Sequence, residues 1–229
     1  MHVPDGFLDA TTSLATAATA VAGVGLSLRG ARRELSDFAA PLAGLVAVFV
    51  FAAQMLNFPV GAGTSGHLLG GTLAAVLVGP ATATLCLTVV LLIQALAFAD
   101  GGLSAFGTNV TLMALVGVWA GYAVFLLARR VLPRRVASVP VAAAVGAFVS
   151  VPAAALTFTG LYAVGGAAPI DLSSLATAML GWHSLIGLGE AAITFLAVGA
   201  ITATRPDLVH GARALAGVQD LEIREGVRA

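Results

Sequence analysis

Between Phe38 and Ala99 the chain contains no Asp, Glu, Lys or Arg. A helix that crosses a bilayer needs about 20 mainly apolar residues, so this stretch has room for more than one crossing. A water-soluble domain carries about 25% charged residues. Here the share is 10% of 229 residues, beside 59% hydrophobic residues and a mean hydropathy of +1.00. There is too little charge to coat a surface that faces water. The apolar runs are continuous Ala, Val, Leu and Gly rather than alternating, which speaks against a β-barrel and for helices. The expected class is all-α: a polytopic membrane protein.

Seven apolar segments can be read, at roughly 10–28, 38–56, 66–78, 81–98, 108–128, 136–162 and 182–204. The third is too short to cross about 30 Å of hydrocarbon. It follows the glycine-rich 61–66 and ends at Gly79-Pro80. Irregular backbone at membrane depth is tolerated only where protein buries it or a cavity is lined, which marks 57–67 as a binding element. Seven crossings also sort the charges. All eleven basic residues are arginines, and they follow the first, fifth and seventh segments, whereas Asp5, Asp9, Asp100 and Asp171 fall on the other side. The positive-inside rule makes the arginine side cytoplasmic. The N-terminus is therefore expected outside and the C-terminus in the cytoplasm. Residues 1–204 read as one transmembrane domain, with 1–9 as a distinct N-terminal segment and 205–229 as a short cytosolic tail.

The first nine residues hold two aspartates and no basic residue. That is unlike the positive start of a signal peptide, so Met1 is expected to stay in the mature chain. Cys86 is the single cysteine and has no internal partner. No basic stripe with interleaved aromatics points to nucleic acid.

His2 needs a reason to sit before such a run. The Met1 α-amine, the His2 backbone nitrogen once deprotonated, and the His2 ring Nδ1 together close a five-membered and a six-membered chelate ring. Nickel(II) and copper(II) favour planar nitrogen fields of this kind, and zinc prefers a tetrahedron. One in-plane position is left. His67, at the end of the glycine-rich loop on the same outward side, is the natural fourth donor. Pro4 stiffens the turn behind the chelate. The plainer readings are an inert terminal His2 and a packed or helix-end His67.

The stretches "MHVPDGFLD" and "GTSGHLLGG" closely resemble two signatures of the substrate-capture component of energy-coupling-factor nickel and cobalt transporters, the NikM/CbiM type. "GWHSLIGLGEAAIT" is similar to that family's last helix. The resemblance implies metal ligands at Met1, His2 and His67, with Ni²⁺ or Co²⁺ as the transported substrate and no organic cofactor. The wording of both signatures is nearer the nickel branch. It also implies partners: a transmembrane coupling (T) subunit, two ATPase subunits and a small accessory membrane subunit, in a prokaryotic cell membrane. No phosphate-binding Gly-x-x-x-x-Gly-Lys loop exists here, since the chain has no lysine. The expected role is a transporter subunit without its own ATPase.

Other residues leave two readings each. Glu190, an ionisable residue inside a span, either orients a ligand imidazole or satisfies a buried backbone network. Asn57 and Ser65 either bond the chelating strand or stabilise their own loop. His183 shares a helix face with Glu190 and sits at the outer boundary, where a structural role is expected. Ala18, Ala22, Gly23 and Gly25 allow close helix approach, toward a coupling subunit or toward the second span. Two functional alternatives remain. One is a rhomboid-like intramembrane serine protease with Ser65 as nucleophile at a helix start and His183 as base. The other is a metal carrier that needs no ATPase.

Overall fold

The computed structural model describes residues 1–35, 39–61 and 64–215. Among these the molecule is a helical bundle whose elements are α1 (Ala10–Glu34), α2 (Ala39–Gln54), a hairpin of β1 (Phe58–Gly61) and β2 (Thr64–Gly66), α3 (Gly71–Val78), α4 (Pro80–Ala97), α5 (Phe106–Val131), α6 (Val139–Gly165) and α7 (Leu172–Thr204). Helices α1, α4, α5 and α7, together with the run Val136–Gly165 that contains α6, are long and apolar enough to cross a membrane; α2 is a shorter apolar helix. The protein is a multi-pass α-helical membrane protein.

Local chemistry sets the helix ends. Asp9 caps α1 by accepting from the Thr12 N–H at 2.7 Å, and Asp171 caps α7 by accepting from Ser174 at 2.9 Å. A side-chain oxygen at the N-cap satisfies one of the donors a helix start leaves bare. Helix α7 therefore starts at Leu172, well ahead of the apolar segment that the sequence suggests from Trp182. The third segment differs too. The loop before it pairs as an antiparallel hairpin that takes in its first residue, Phe58 opposite Gly66 and Pro59 opposite Ser65, and the helix starts only at Gly71. Eight residues rise about 12 Å, so α3 covers less than half of a bilayer. Every residue of it is buried. Within α5, Val110–Gly117 winds as a π-helix.

Two ends of the bundle are distinct. At one, the N-terminal segment folds back over the loops: Gly102 N–H donates to the Val3 carbonyl, Ala167 N–H to that of Phe7, and Asp9 N–H to that of Gly165. At the other, Glu34 at the end of α1 caps α4, accepting from the Ala81 and Thr82 N–H groups at 3.1 and 2.7 Å. That second end carries the arginines that close α1 and α5, so it is the cytoplasmic one. There the chain after α7 turns under the bundle. Val209 and Ala212 are wholly buried, and Arg129 donates to the Gly211 carbonyl at 2.5 Å. The tail up to Leu215 therefore packs on the bundle through Val209 and Ala212, while Arg205, Asp207 and Arg213 stay exposed; 216–229 lie outside the described residues. Helix α1 packs on α4 and α5, with Gly23 against Leu115, rather than on the second span. Ala18, Ala22 and Gly25 face outward.

Candidate metal site

The N-terminal strand is drawn into the outer half of the bundle. Met1 and Val3 are each 1% exposed, a burial that an unpaired extended strand needs anchors to hold. Asn109 supplies them: its Oδ1 accepts from Val3 N–H at 2.7 Å and its Nδ2 donates to the Val3 carbonyl at 3.1 Å. Outside the membrane-crossing helices, Asp5 accepts from the Ser104 backbone at 2.8 Å and the Ser104 hydroxyl at 2.5 Å. These bonds favour the charged form and hold the Asp5 carboxyl below its ordinary pKa of 3.8. Glycine is required beside this strand. A Cβ on Gly102 would collide with the Asp5 backbone and carboxylate, and one on Gly101, whose φ is +94°, would press on Asn109 and His2.

The strand sets His2 against His67. The ring centroids lie 4.4 Å apart and the planes meet at 28°, a stacked pair. His2 Nε2 is 3.0 Å from Gln94 Oε1. An amide oxygen only accepts, so Nε2 carries a proton in this contact. Nδ1 lies 3.1 Å from Asp100 Oδ1, off the direction of a hydrogen bond. A carboxylate oxygen this close to the ring makes the spot favourable for positive charge. Asp100 is aimed by the end of α4: Ala99 takes a left-handed conformation (φ +52°), and Asp100 N–H returns to the Gln94 carbonyl at 3.1 Å. Asn57 Nδ2 donates to Asp100 Oδ2 at 3.2 Å, so Asn57 reaches His2 through Asp100 rather than through the strand.

His67 is 1% exposed. Its Nδ1 lies 2.8 Å from the Leu68 carbonyl, which fixes the proton there, and its Nε2 is buried without a hydrogen-bond partner. The extended residues beyond it are pinned on both sides. Glu190 accepts from Leu69 N–H at 2.7 Å and Gly70 N–H at 3.0 Å, and Gln54 Nε2 donates to the Leu69 carbonyl at 2.7 Å. Of the two readings for Glu190, the backbone one is realised: the carboxylate replaces the peptide partners that non-helical chain at this depth lacks. Ser65 lies in β2, two residues before His67, opposite Pro59.

His183 is wholly buried among the helices. Its Nδ1 sits 2.8 Å from the Met179 carbonyl, and its Nε2 has no hydrogen-bond partner. Ser65 is in a strand rather than at a helix start, and the Ser65–His183 hydrogen bond of a protease dyad is not made. Gln54, Gln94, Asp100 and Asn109 are the site residues that sequence reasoning missed. Gln54, Gln94 and Asn109 had a signal, being amides inside otherwise apolar segments. Among the described residues no group of three His, Cys, Asp or Glu side chains is placed to hold an ion.

The family model described as "Cobalt uptake substrate-specific transmembrane region" matches residues 2–208. A putative metal transport protein of Haloquadratum walsbyi is 40% identical over 213 residues, covering 91% of this chain and 93% of that one. The fused nickel transport protein NikMN of Rhodobacter capsulatus is 36% identical over 226 residues, and the chain spans 65% of its length. A solved structure, "Crystal Structure of an Truncated Transition metal Transporter", superposes with a TM-score of 0.81 at 30% identity, covering 89% of this chain and 99% of that one. By the extent of the family match and the relatives' identity, the chain belongs to the CbiM family of substrate-specific transmembrane proteins.

Proposed function

We propose that the protein is the substrate-capture subunit of an ATP-driven energy-coupling-factor importer and that it takes up Ni²⁺, with Co²⁺ as the alternative ion, from the outer face. The observation that carries this reading is the buried His2–His67 pair. In it His67 Nε2 lacks a partner and His2 Nδ1 makes no directed hydrogen bond. The ion's donors are the Met1 amine, the deprotonated His2 amide nitrogen, His2 Nδ1 and His67 Nε2. Two histidines do not make a side-chain cage, so the remaining donors come from the main chain. A planar four-nitrogen field results and suits nickel(II). The stacked rings must turn relative to one another for both nitrogens to meet one ion. Asp100, beside His2, offsets part of the ion's charge, and Gln94 fixes the His2 tautomer, as acceptors behind metal-bound imidazoles do.

Energy and handover belong to partners in this reading: a T subunit, two ATPase subunits and a small accessory membrane subunit. The outward face of α1 at Ala18, Ala22 and Gly25 is the surface assigned to the T subunit, because small residues let a second helix approach closely. Residues 1–204 form the capture domain, and the chain beyond Thr204 belongs to the cytoplasmic side.

The test is the visible absorption spectrum of the purified chain with nickel(II) chloride. A yellow, diamagnetic planar species is expected. One extra residue before Met1, or His67→Ala, should abolish it. A green octahedral spectrum, or an extended chain that binds as tightly as the original, overturns the reading.

A further inference from the structure

Three histidine nitrogens near the Met1 amine are buried without a hydrogen bond: His2 Nδ1 and His67 Nε2, assigned above to the ion, and His183 Nε2. The amine, His67 and His183 lie within electrostatic reach of one another, and Asp100 and Glu190 lie within reach of the amine. Asp100 already faces His2 with one oxygen and receives Asn57 on the other. Both oxygens of Glu190 are occupied by the Leu69 and Gly70 N–H groups. His183 differs. Its Nδ1 is turned to the Met179 carbonyl one helical turn back, at 2.8 Å. A carbonyl only accepts, so the ring proton is on Nδ1 and Nε2 presents a bare lone pair. That atom is wholly buried and makes no hydrogen bond. His183 stands two turns before Glu190 on α7, about 10 Å nearer the outer end. Glu190 grips the backbone just after His67, so the two-turn rise brings His183 to the level of the claw.

Resting on the function proposed above, the chemistry of a bound amine then matters. A primary amine that gives its lone pair to a metal keeps two N–H bonds. In a dry interior those bonds need acceptors, because an unpaired buried donor is costly. We propose that His183 Nε2 accepts an N–H from the metal-bound Met1 amine, making His183 the residue that orients the amine in the claw. It is a positioning residue and not a ligand. It serves the amine as Gln94 serves the His2 ring, from behind the donor atom.

The experiment uses the full chain with nickel(II) chloride, affinity measured by competition with a coloured chelator and geometry by the visible spectrum. His183→Phe fills a similar space without an acceptor. His183→Gln offers an amide oxygen at similar reach. Loss of an outer hydrogen bond to a metal ligand weakens binding about 10- to 100-fold. That loss is expected for His183→Phe with the planar bands retained, and His183→Gln should recover most of it. Should the phenylalanine variant not fold, His183→Met makes the same comparison. Equal affinity in all variants overturns the inference, as does loss of the planar bands in His183→Gln, which would make His183 a ligand. Failure of the claw itself is recognised separately, by a wild-type chain that shows no planar spectrum.

Discussion

At the residue scale, two histidines were legible because a polar ring announces itself in an apolar sequence. His2 stands before a long hydrophobic run, and His67 closes a glycine-rich loop. What their supports touch was not legible, because each acts across a large separation in the chain. Gln94 meets His2 and Asn109 meets Val3 only after the N-terminal segment has folded into the bundle. Glu190 was visible as an intramembrane carboxylate, yet only the fold shows that it holds backbone rather than imidazole. Asp5 allows a pH prediction. Its folded pKa is depressed below 3.8 by Ser104. A depressed carboxyl contributes stability above its unfolded pKa and loses it as pH falls through the lower folded value. The Asp5 tether is therefore constant from pH 7 to pH 5 and fades only below about pH 4, near the unfolded Asp reference. Nickel titrations of Asp5→Asn and wild type across pH 7 to 5 should differ by one fixed factor. A factor that changes across this window would place the titration of Asp5 there and contradict the assignment.

At the element scale, hydropathy located the helices but not their ends. The α7 start was missed because Leu-Ser-Ser-Leu-Ala-Thr dilutes the apolar signal, although Asp171 is a strong N-cap. The α3 start was misplaced because Thr64, Ser65 and Gly66 pair with β1 rather than with a following turn. Long-range pairing of this sort is invisible to a local period. The junction of α3 and α4 shows another hidden support. Gly79 has φ +96°, and a Cβ there would strike the Glu34 carboxyl. Glu34 fills that cradle and caps α4 through Ala81, Thr82 and the Thr82 hydroxyl. Removing a helix cap costs about 0.5–2 kcal/mol, and an anionic cap also complements the helix dipole. Glu34→Ala should lower the thermal unfolding midpoint in detergent, with stability reduced by about 1–2 kcal/mol. Because this end is remote from the His2–His67 pair, nickel affinity should stay unchanged. An unchanged midpoint would show that the cap is not needed.

At the scale of the whole molecule, the number of crossings derives from charge placement combined with one incomplete helix. Helix α3 alone does not cross, but the extended residues 67–70 lead into it from the outer loops, and Pro80 starts the next helix at the cytoplasmic end. The pair completes one passage, which keeps the N-terminus and the loops around Asn57, Asp100 and Gly166 on one side. The hydrogen bonds that tie these loops to the N-terminal strand support the same grouping without reference to charge. Arginine sidedness then assigns that side to the exterior. Cysteine labelling tests the assignment. In a Cys86→Ser background, Leu103→Cys, 61% exposed beside the strand, should react in intact cells with a membrane-impermeant maleimide. Val131→Cys, 87% exposed at the arginine end, should react only after the cells are opened. The reverse pattern would invert the protein and place the claw in the cytoplasm. Reaction of both in intact cells would mean that α5, the helix between them, does not complete a crossing. Either result would remove the basis for uptake from outside, whatever the nickel spectrum of the purified chain.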